Sequence, residues 1–315
     1  MNNKKRASEF KKSMQPTIRE FKFMMKRAKK SPLSIIGITI LAFYAAMALL
    51  APVLAPPVKD DPYLMPRDKE YFKKYGVTPV PPNEKHIFGT AYEQYDLFYG
   101  CMWGTRTAFR IGFMVVGISL IIGVLIGIVA GYYGGVVDEL LMRFTDIIYA
   151  FPGLILAMAI VIAFGRSLTN VLLALVIVGW PTYTRVIRSE ILKVKEEDYV
   201  EAAKAVGCSD LRVMVKHILP NSVYSVLIMA SLNIGAIVLT AAALSFLGLG
   251  ATTDFADWGQ LINTSQPYIM GTVANHFAYW HTYTIPGLFI FIFVLGWNLL
   301  GDAFRDILDP TIRRR

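Results

Sequence analysis

Six apolar runs divide the chain, at residues 33–55, 108–131, 140–163, 168–183, 223–246 and 284–300. A helix crosses a bilayer with about 20 mostly apolar residues at 1.5 Å rise each. On that measure the pattern predicts about six membrane-spanning helices, the run at 168–183 being the shortest. Between the first and second runs lies a segment with prolines at 56, 57, 62, 66, 79, 81 and 82. Proline lacks a backbone donor, so no long helix can form there. Between the fourth and fifth runs lies a polar stretch of mixed charge, EAAKAVGCSDLRVMVKHILPN, residues 201–221.

Small and kinking residues interrupt the apolar runs. Glycines at 123, 127 and 131 recur every four residues, which lets helices approach closely. Pro152 and Pro181 are expected to kink the third and fourth spans. Asn233, Thr240 and Asn298 put polar groups at membrane depth, and Asn233 and Thr240 are seven apart and share a helical face. They are candidates for lining a polar route, helix–helix hydrogen bonding being the alternative.

Composition agrees with a membrane chain. The protein is 55% hydrophobic and 17% charged, well below the usual charged fraction of soluble domains. Its net charge of +9 is concentrated at the start, where residues 1–30 hold eleven Lys and Arg against two Glu. A basic arm leading into a lipid-length helix is expected to stay in the cytoplasm by the positive-inside rule. Six spans then return the C-terminus to the cytoplasm. The expected division is a basic tail (1–32), a first transmembrane helix (33–55), an extracytoplasmic loop (56–106), a core of five transmembrane helices (107–308) and a C-terminal tail (309–315). The core includes a cytoplasmic loop at 189–222 and an extracytoplasmic loop at 247–283. The latter has no Lys or Arg and is rich in aromatics. Its Asp254, Asp257 and Trp258 are candidates for docking a protein, an interfacial aromatic belt being the alternative. The four histidines and two cysteines show no metal-ligand spacing, so no metal site and no catalytic cluster is expected.

The polar stretch predicts a helical hairpin. Asp198 with Glu201 three residues on forms a capping-box pattern. The helix runs over Ala202 and Ala203, and Gly207 suits a left-handed stop. Ser209 and Asp210 open a second helix, whose Leu211, Met214, Val215 and Ile218 form one apolar stripe that Pro220 closes. Mixed charges on the polar face favour a protein partner over a helix lying on lipid.

The spacing of Glu201-Ala202-Ala203, Gly207, Leu219 and Pro220 resembles the cytoplasmic loop motif of permease subunits of ATP-binding-cassette importers. With His217 and Asn221 it looks like the variant in dipeptide and oligopeptide permeases. HIFGT (86–90), GTRTAFRIGF (104–113), AGYYGGVVDELLMRFTDIIYAFPGLILA (130–157), VGWPTYTRVIRSEIL (178–192), LSFLGLG (244–250), DWGQL (257–261) and NLLGDAFRDILDP (298–310) extend the resemblance to the C-type subunit of that family. One pattern departs: D-x-x-G-R-D usually follows the histidine motif, and here residues 91–96 read AYEQYD, keeping one acid and losing the glycine and arginine.

The resemblance implies an all-α polytopic permease with a type I importer core. It also implies a homologous second permease, two cytoplasmic ATP-binding subunits, an extracytoplasmic solute-binding protein and a multi-pass place in the cell membrane. The coupling residues would be Asp198, Glu201, Ala202, Ala203, Gly207, Ser209, Asp210, His217, Leu219 and Pro220. No G-x-x-x-x-G-K-[ST] loop exists, so ATP and Mg2+ would belong to partner subunits and this chain would bind no cofactor. Nucleic acid is not an expected partner. The solute would be a peptide or an oligosaccharide. The alternative is an ion-coupled secondary carrier, against which stands the absence of Asp, Glu, Lys or Arg from the middle of every span.

Overall fold

A computed structural model describes residues 32–308, so both predicted tails lie outside the described residues except for Pro32. In chain order the helices are α1 (Pro32–Leu54), the short α2 (Lys69–Tyr75), α3 (Leu97–Tyr133), α4 (Gly135–Tyr149), α5 (Gly153–Phe164), α6 (Leu168–Val194) and α7 (Asp198–Ala205), then α8 (Asp210–Phe246), the short α9 (Trp258–Thr264) and α10 (His281–Leu308). Among the described residues there are no strands, only three isolated bridges in the loops. Helices α1, α3, α6, α8 and α10 are each long and apolar enough to cross a membrane.

The glycine ladder of α3 sets the arrangement. A Cβ on Gly123 would sit 2.5 Å from the Cβ of Tyr183, and one on Gly131 would sit 2.9 Å from a methyl of Ile191. Gly127 faces Ile187 between them. Residue numbers rise together along both helices, so α3 and α6 pack in parallel. A chain joining two parallel helices must return to its starting side, and α4 with α5 makes that return. Arg188 donates to Asp138 from both its Nε and Nη2, each at 2.5 Å, and Arg185 donates to Asp146 at 2.6 Å, which ties α4 along the far end of α6. At the other end Asn170 donates to the carbonyls of Phe164 and Gly165.

This corrects the expectation of one kinked span at 140–163. The return path is two helices bent by 81°. The residue before a proline avoids helical geometry, and the break falls at 150–152. The 12-residue α5 is only about 18 Å long, short of the roughly 30 Å hydrocarbon core, so it needs α4 to complete the crossing. Two further boundaries shift. Asp96 accepts the Tyr99 N–H at 2.7 Å and starts α3 at Leu97, about ten residues before the expected core. Helix α6 runs on past Pro181 to Val194, its last turns carrying the Arg185 and Arg188 ion pairs to α4.

Three helices pack antiparallel on the other flank. A Cβ on Gly235 would meet Trp297 and Val294, and one on Gly301 would meet Leu232, so α8 and α10 run in opposite directions. Gly37 against Leu299 and Gly296 against Ile40 place α1 on the outer side of α10, again antiparallel. The described ends of the chain therefore lie on one side, together with α7.

The opposite side carries a cap built from both long loops. Met65 N–H donates to Asp254 O and Ala256 N–H to Tyr63 O, each at 2.7 Å, and Tyr63 stacks on Phe255. Trp258 is buried beside Gly104 and donates to Cys101 O at 3.1 Å. Gln94, at the position where the related pattern carries glycine, has φ +61. Its buried amide holds that turn, accepting from Thr90 Oγ1 at 2.7 Å and donating to the carbonyls of Gly76 and Thr78. Asp68 caps α2 and pairs with Lys85 at 2.7 Å and His86 Nε2 at 3.2 Å. Burial would raise its carboxyl, but hydrogen bonds from Lys85 and the Tyr71 N–H outweigh it and bring the pKa down to about 2.

Two outcomes test this packing. Gly127→Val should lower the thermal midpoint of the purified chain, overpacking typically costing about 1–3 kcal/mol. Gly117→Val, with nothing within 4 Å of its added Cβ, should leave the midpoint unchanged. Because Asp68 is depressed in the folded state, its stabilising effect is full above its ordinary value of 3.8 and fades as pH falls toward about 2. Protease cleavage in the 56–96 loop should therefore rise in the wild type only over that acid window. In Asp68→Asn it should be raised already at neutral pH.

Candidate functional site

The hairpin opens where α6 ends. Helix α7 begins at Asp198 with Glu197 as its N-cap, and no side chain caps it. The expected capping box of Asp198 and Glu201 is thereby corrected. Both acids instead sit in the first turn, where negative charge suits the helix dipole. The stop does follow the glycine. Gly207 has φ +82, Cys208 N–H bonds Ala203 O, and Gly207 N–H bonds Lys204 O, the two bonds of a Schellman cap. Ala203 is buried with Val200, while Glu201, Ala202 and Gly207 are exposed.

The second arm differs from the sequence expectation. Ser209 stands at the N-cap without a side-chain bond, and Pro220 does not close the helix. Residues 210–246 are one continuous helix, α8, that carries a π-helical turn over Val213–Ile218. The turn absorbs the proline: Leu219 N–H bonds Met214 O, one residue further back than in an α-helix. The wider turn also shifts the buried face. Val213, Met214 and Ile218 are buried, whereas Leu211 and Val215 of the expected stripe are exposed. With Val206 at 81% and Leu211 at 68% exposure, and Tyr199 and Val215 beside them in the sequence of the two arms, the hairpin leaves apolar side chains open on the side of the chain ends. Sequence reasoning missed Val206 and Tyr199, whose only signal was an apolar residue in a polar segment.

The hairpin is seated on the end of α3. Tyr132 donates to Asp210 at 2.7 Å, Lys204 lies over the Tyr132 ring, and Lys195 donates to the carbonyls of Gly131 and Tyr132. Asn221 donates to His217 O, and His217 and Leu219 are half-buried. The hairpin is thus fastened to the end of α3 and follows α6 directly in the chain.

A cavity of about 330 Å³ lies between α3, α5, α6 and α8. Asn233 and Thr240 both line it, with Ser119, Thr182 and Tyr183, and no charged group faces it. Asn233 also donates to the Tyr183 hydroxyl at 3.1 Å, so its two candidate roles coexist. Asn298 is exposed on α10 and does not line this cavity, which corrects its grouping with the other two. Thr182 and Tyr183 were legible only as polar residues in the VGWPTYT stretch.

The docking candidates separate in the same way. Asp254 is half-buried and pairs with Lys59 at 3.1 Å. Its carboxyl is lowered because bonds from Thr252 and Lys59 outweigh burial, which opposes them. Asp257 and Trp258 are buried and cannot present a docking surface, a correction to the sequence expectation. Asp257 caps α9, and burial pushes its carboxyl up. His281 is buried against Thr90 O, while His276 is exposed, so they share no site. Among the described residues no cluster of ligands suits a metal ion.

This architecture is that of a transport permease, and comparison with known proteins agrees. Residues 123–314 match the family described as binding-protein-dependent transport system inner membrane component. Residues 21–69 match the N-terminal TM domain of oligopeptide transport permease C. The chain is 37% identical over 288 residues to the dipeptide transport system permease protein DppC of Alkalihalophilus pseudofirmus, covering 91% of this chain and 89% of that one. It is 38% identical over 251 residues to the glutathione transport system permease protein GsiD of Pectobacterium atrosepticum, covering 80% and 81%. Among solved structures, the inward-facing MetNI methionine ABC transporter aligns with a TM-score of 0.53 at 17% identity, over 68% of this chain and 98% of that one, and so shows the fold. The chain belongs to the binding-protein-dependent inner membrane component family, as an ABC importer permease of the dipeptide/oligopeptide type.

Water access to the cavity can be measured. In a chain whose Cys101 and Cys208 are changed to Ser, Asn233→Cys and Thr240→Cys should both react with a membrane-impermeant thiol reagent in the assembled transporter. If both stay inert in every nucleotide state, the cavity is closed to water and is no route.

Proposed function

We propose that this chain forms half of the translocation pathway of an ATP-driven importer of short peptides. The single observation that carries this reading is the hairpin: exposed apolar residues on a capped turn, fastened to the end of α3 by Tyr132 and continuous with α8, both of which wall the cavity. A homologous permease supplies the other half. Two cytoplasmic ATP-binding subunits receive the hairpins, and an extracytoplasmic solute-binding protein meets the cap. The hairpin side faces the cytoplasm, so both chain ends lie there. ATP and Mg2+ act in the partner subunits, whose closure tilts α6 and α8 and switches access to the cavity.

Short peptides are favoured over oligosaccharides by the names of the similar permeases, and the cavity is compatible with them. Hydroxyl and amide groups without fixed charge can hydrogen-bond a peptide backbone while tolerating side chains of either sign. Proteoliposomes holding the whole transporter should take up a labelled dipeptide only with internal ATP and binding protein. Uptake driven by an ion gradient without the ATP-binding subunits would overturn the reading in favour of a secondary carrier.

The coupling role makes two finer expectations. Leu211→Glu should reduce co-purification of the ATP-binding subunits roughly tenfold, as loss of an apolar anchor does at interfaces, while leaving the thermal midpoint of the isolated chain unchanged. Gly207→Val meets no neighbour within 4 Å, so its effect is conformational, about 1–2 kcal/mol for a β-branched residue at this φ. It should insert normally yet lose ATP-driven uptake. Normal uptake in both variants would remove the hairpin from the coupling path.

A further inference from the structure

At the cap end of α1, α3 and α10 two cavities meet. One is a groove of about 630 Å³ lined entirely by apolar or aromatic side chains, among them Phe43, Met47, Met102, Leu288, Phe289 and Ile292. The other, of about 340 Å³, is lined by Arg67, Asp68, His86, Asp96 and Tyr99. Leu54 and Phe98 line both, so an apolar channel continues directly into a polar pocket.

Depth and charge say what fits. On α1 the groove spans residues 43 to 54, about 16 Å at 1.5 Å per residue, which matches one leaflet of a roughly 30 Å hydrocarbon core. Phe43, Leu54 and Leu288 are exposed along it, so it opens sideways to lipid. The polar pocket begins where α1 ends, at Leu54, Ala55 and Pro56, which is headgroup level. Both signs of charge line it, and each group has a partner: Arg67 pairs with Glu93 and Asp68 with Lys85, both partners standing outside the lining, and Asp96 bonds His86 at 2.6 Å. A matched pocket rewards a headgroup that is itself neutral overall but carries a phosphate and an ammonium.

We propose that this end of the chain binds one zwitterionic phospholipid with a primary-amine headgroup, one of its two acyl chains in the groove and its headgroup in the polar pocket. The ammonium donates hydrogen bonds toward the Asp68 and Asp96 carboxylates, and the phosphate lies toward Arg67. A quaternary ammonium has no N–H to donate and is the weaker ligand. The lipid joins α1 to the core at the point where α1, α3 and the cap meet.

The test uses the assembled transporter in vesicles of phosphatidylethanolamine, phosphatidylglycerol and phosphatidylcholine in equal parts, released and weighed by native mass spectrometry. The expected result is one retained phosphatidylethanolamine per copy of this chain. Leu54→Trp with Leu288→Trp, both at exposed positions that fill the groove, should lower retention at least tenfold. Leu125→Trp, on the exposed face of α3 outside the groove, should not change it. Equal retention of the three lipids, or no loss in the double variant, overturns the proposal. A photo-crosslinking side chain at Leu288 gives an independent readout. Labelling of phospholipid supports the site, and labelling of the second permease instead means that a protein covers the groove.

Discussion

The close parallel approach of α3 and α6 is the constraint on which the rest depends. Helices whose backbones nearly touch have no room for a Cβ at Gly123 or Gly131, and lipid supplies no hydrophobic drive to replace that contact. Parallel helices in one chain require a return crossing. That need explains why a segment of ordinary apolar composition is broken at Pro152 into α4, ion-paired to α6 through Asp138 and Asp146, and a short α5. The bend in turn leaves space between α3, α5, α6 and α8, and that space is the cavity. One packing contact thus produces both the wall and the hollow.

The ends of the same pair also support the hairpin. Tyr132 at the end of α3 holds the hairpin through Asp210, and Lys195, just after α6, ties that helix end to the carbonyls of Gly131 and Tyr132. The hairpin itself is stiffened by its Schellman cap and by the π-turn that lets Pro220 remain inside α8. A rigid body with apolar side chains facing outward is suited to transmit a partner's movement. A helix lying on lipid would have needed the continuous apolar stripe that the π-turn divides. The second arm of the hairpin is less a loop than the first turns of a 37-residue helix.

On the opposite side, the two loops are not separate attachments but one structure. Backbone bonds between 63–65 and 254–256, and the insertion of Trp258 beside Gly104, lock them to the first turns of α3. The lost glycine of the related pattern is tolerated for the same reason. Gln94 takes up the left-handed backbone because three side-chain hydrogen bonds hold it there. Ion pairs of Arg67 with Glu93, Lys85 with Asp68 and Lys59 with Asp254 help keep this charged cap compact.

Hydropathy alone determined the all-α membrane class, the approximate number of spans and the position of the polar hairpin, because length and apolarity are local properties of the chain. Gly207 was legible for a similar reason: a left-handed stop depends on one residue and its immediate neighbours. The motifs likewise carried the family. What only the tertiary structure decided were the features that depend on a partner helix. The 81° break, the joining of Asp210 to Phe246 through a π-turn, the burial of Asp257 and Trp258, and the separation of Asn298 from Asn233 all follow from contacts between residues far apart in sequence. Periodicity places a side chain on a face of its own helix. Which faces meet another helix, and which are left to lipid or a partner, is decided by packing.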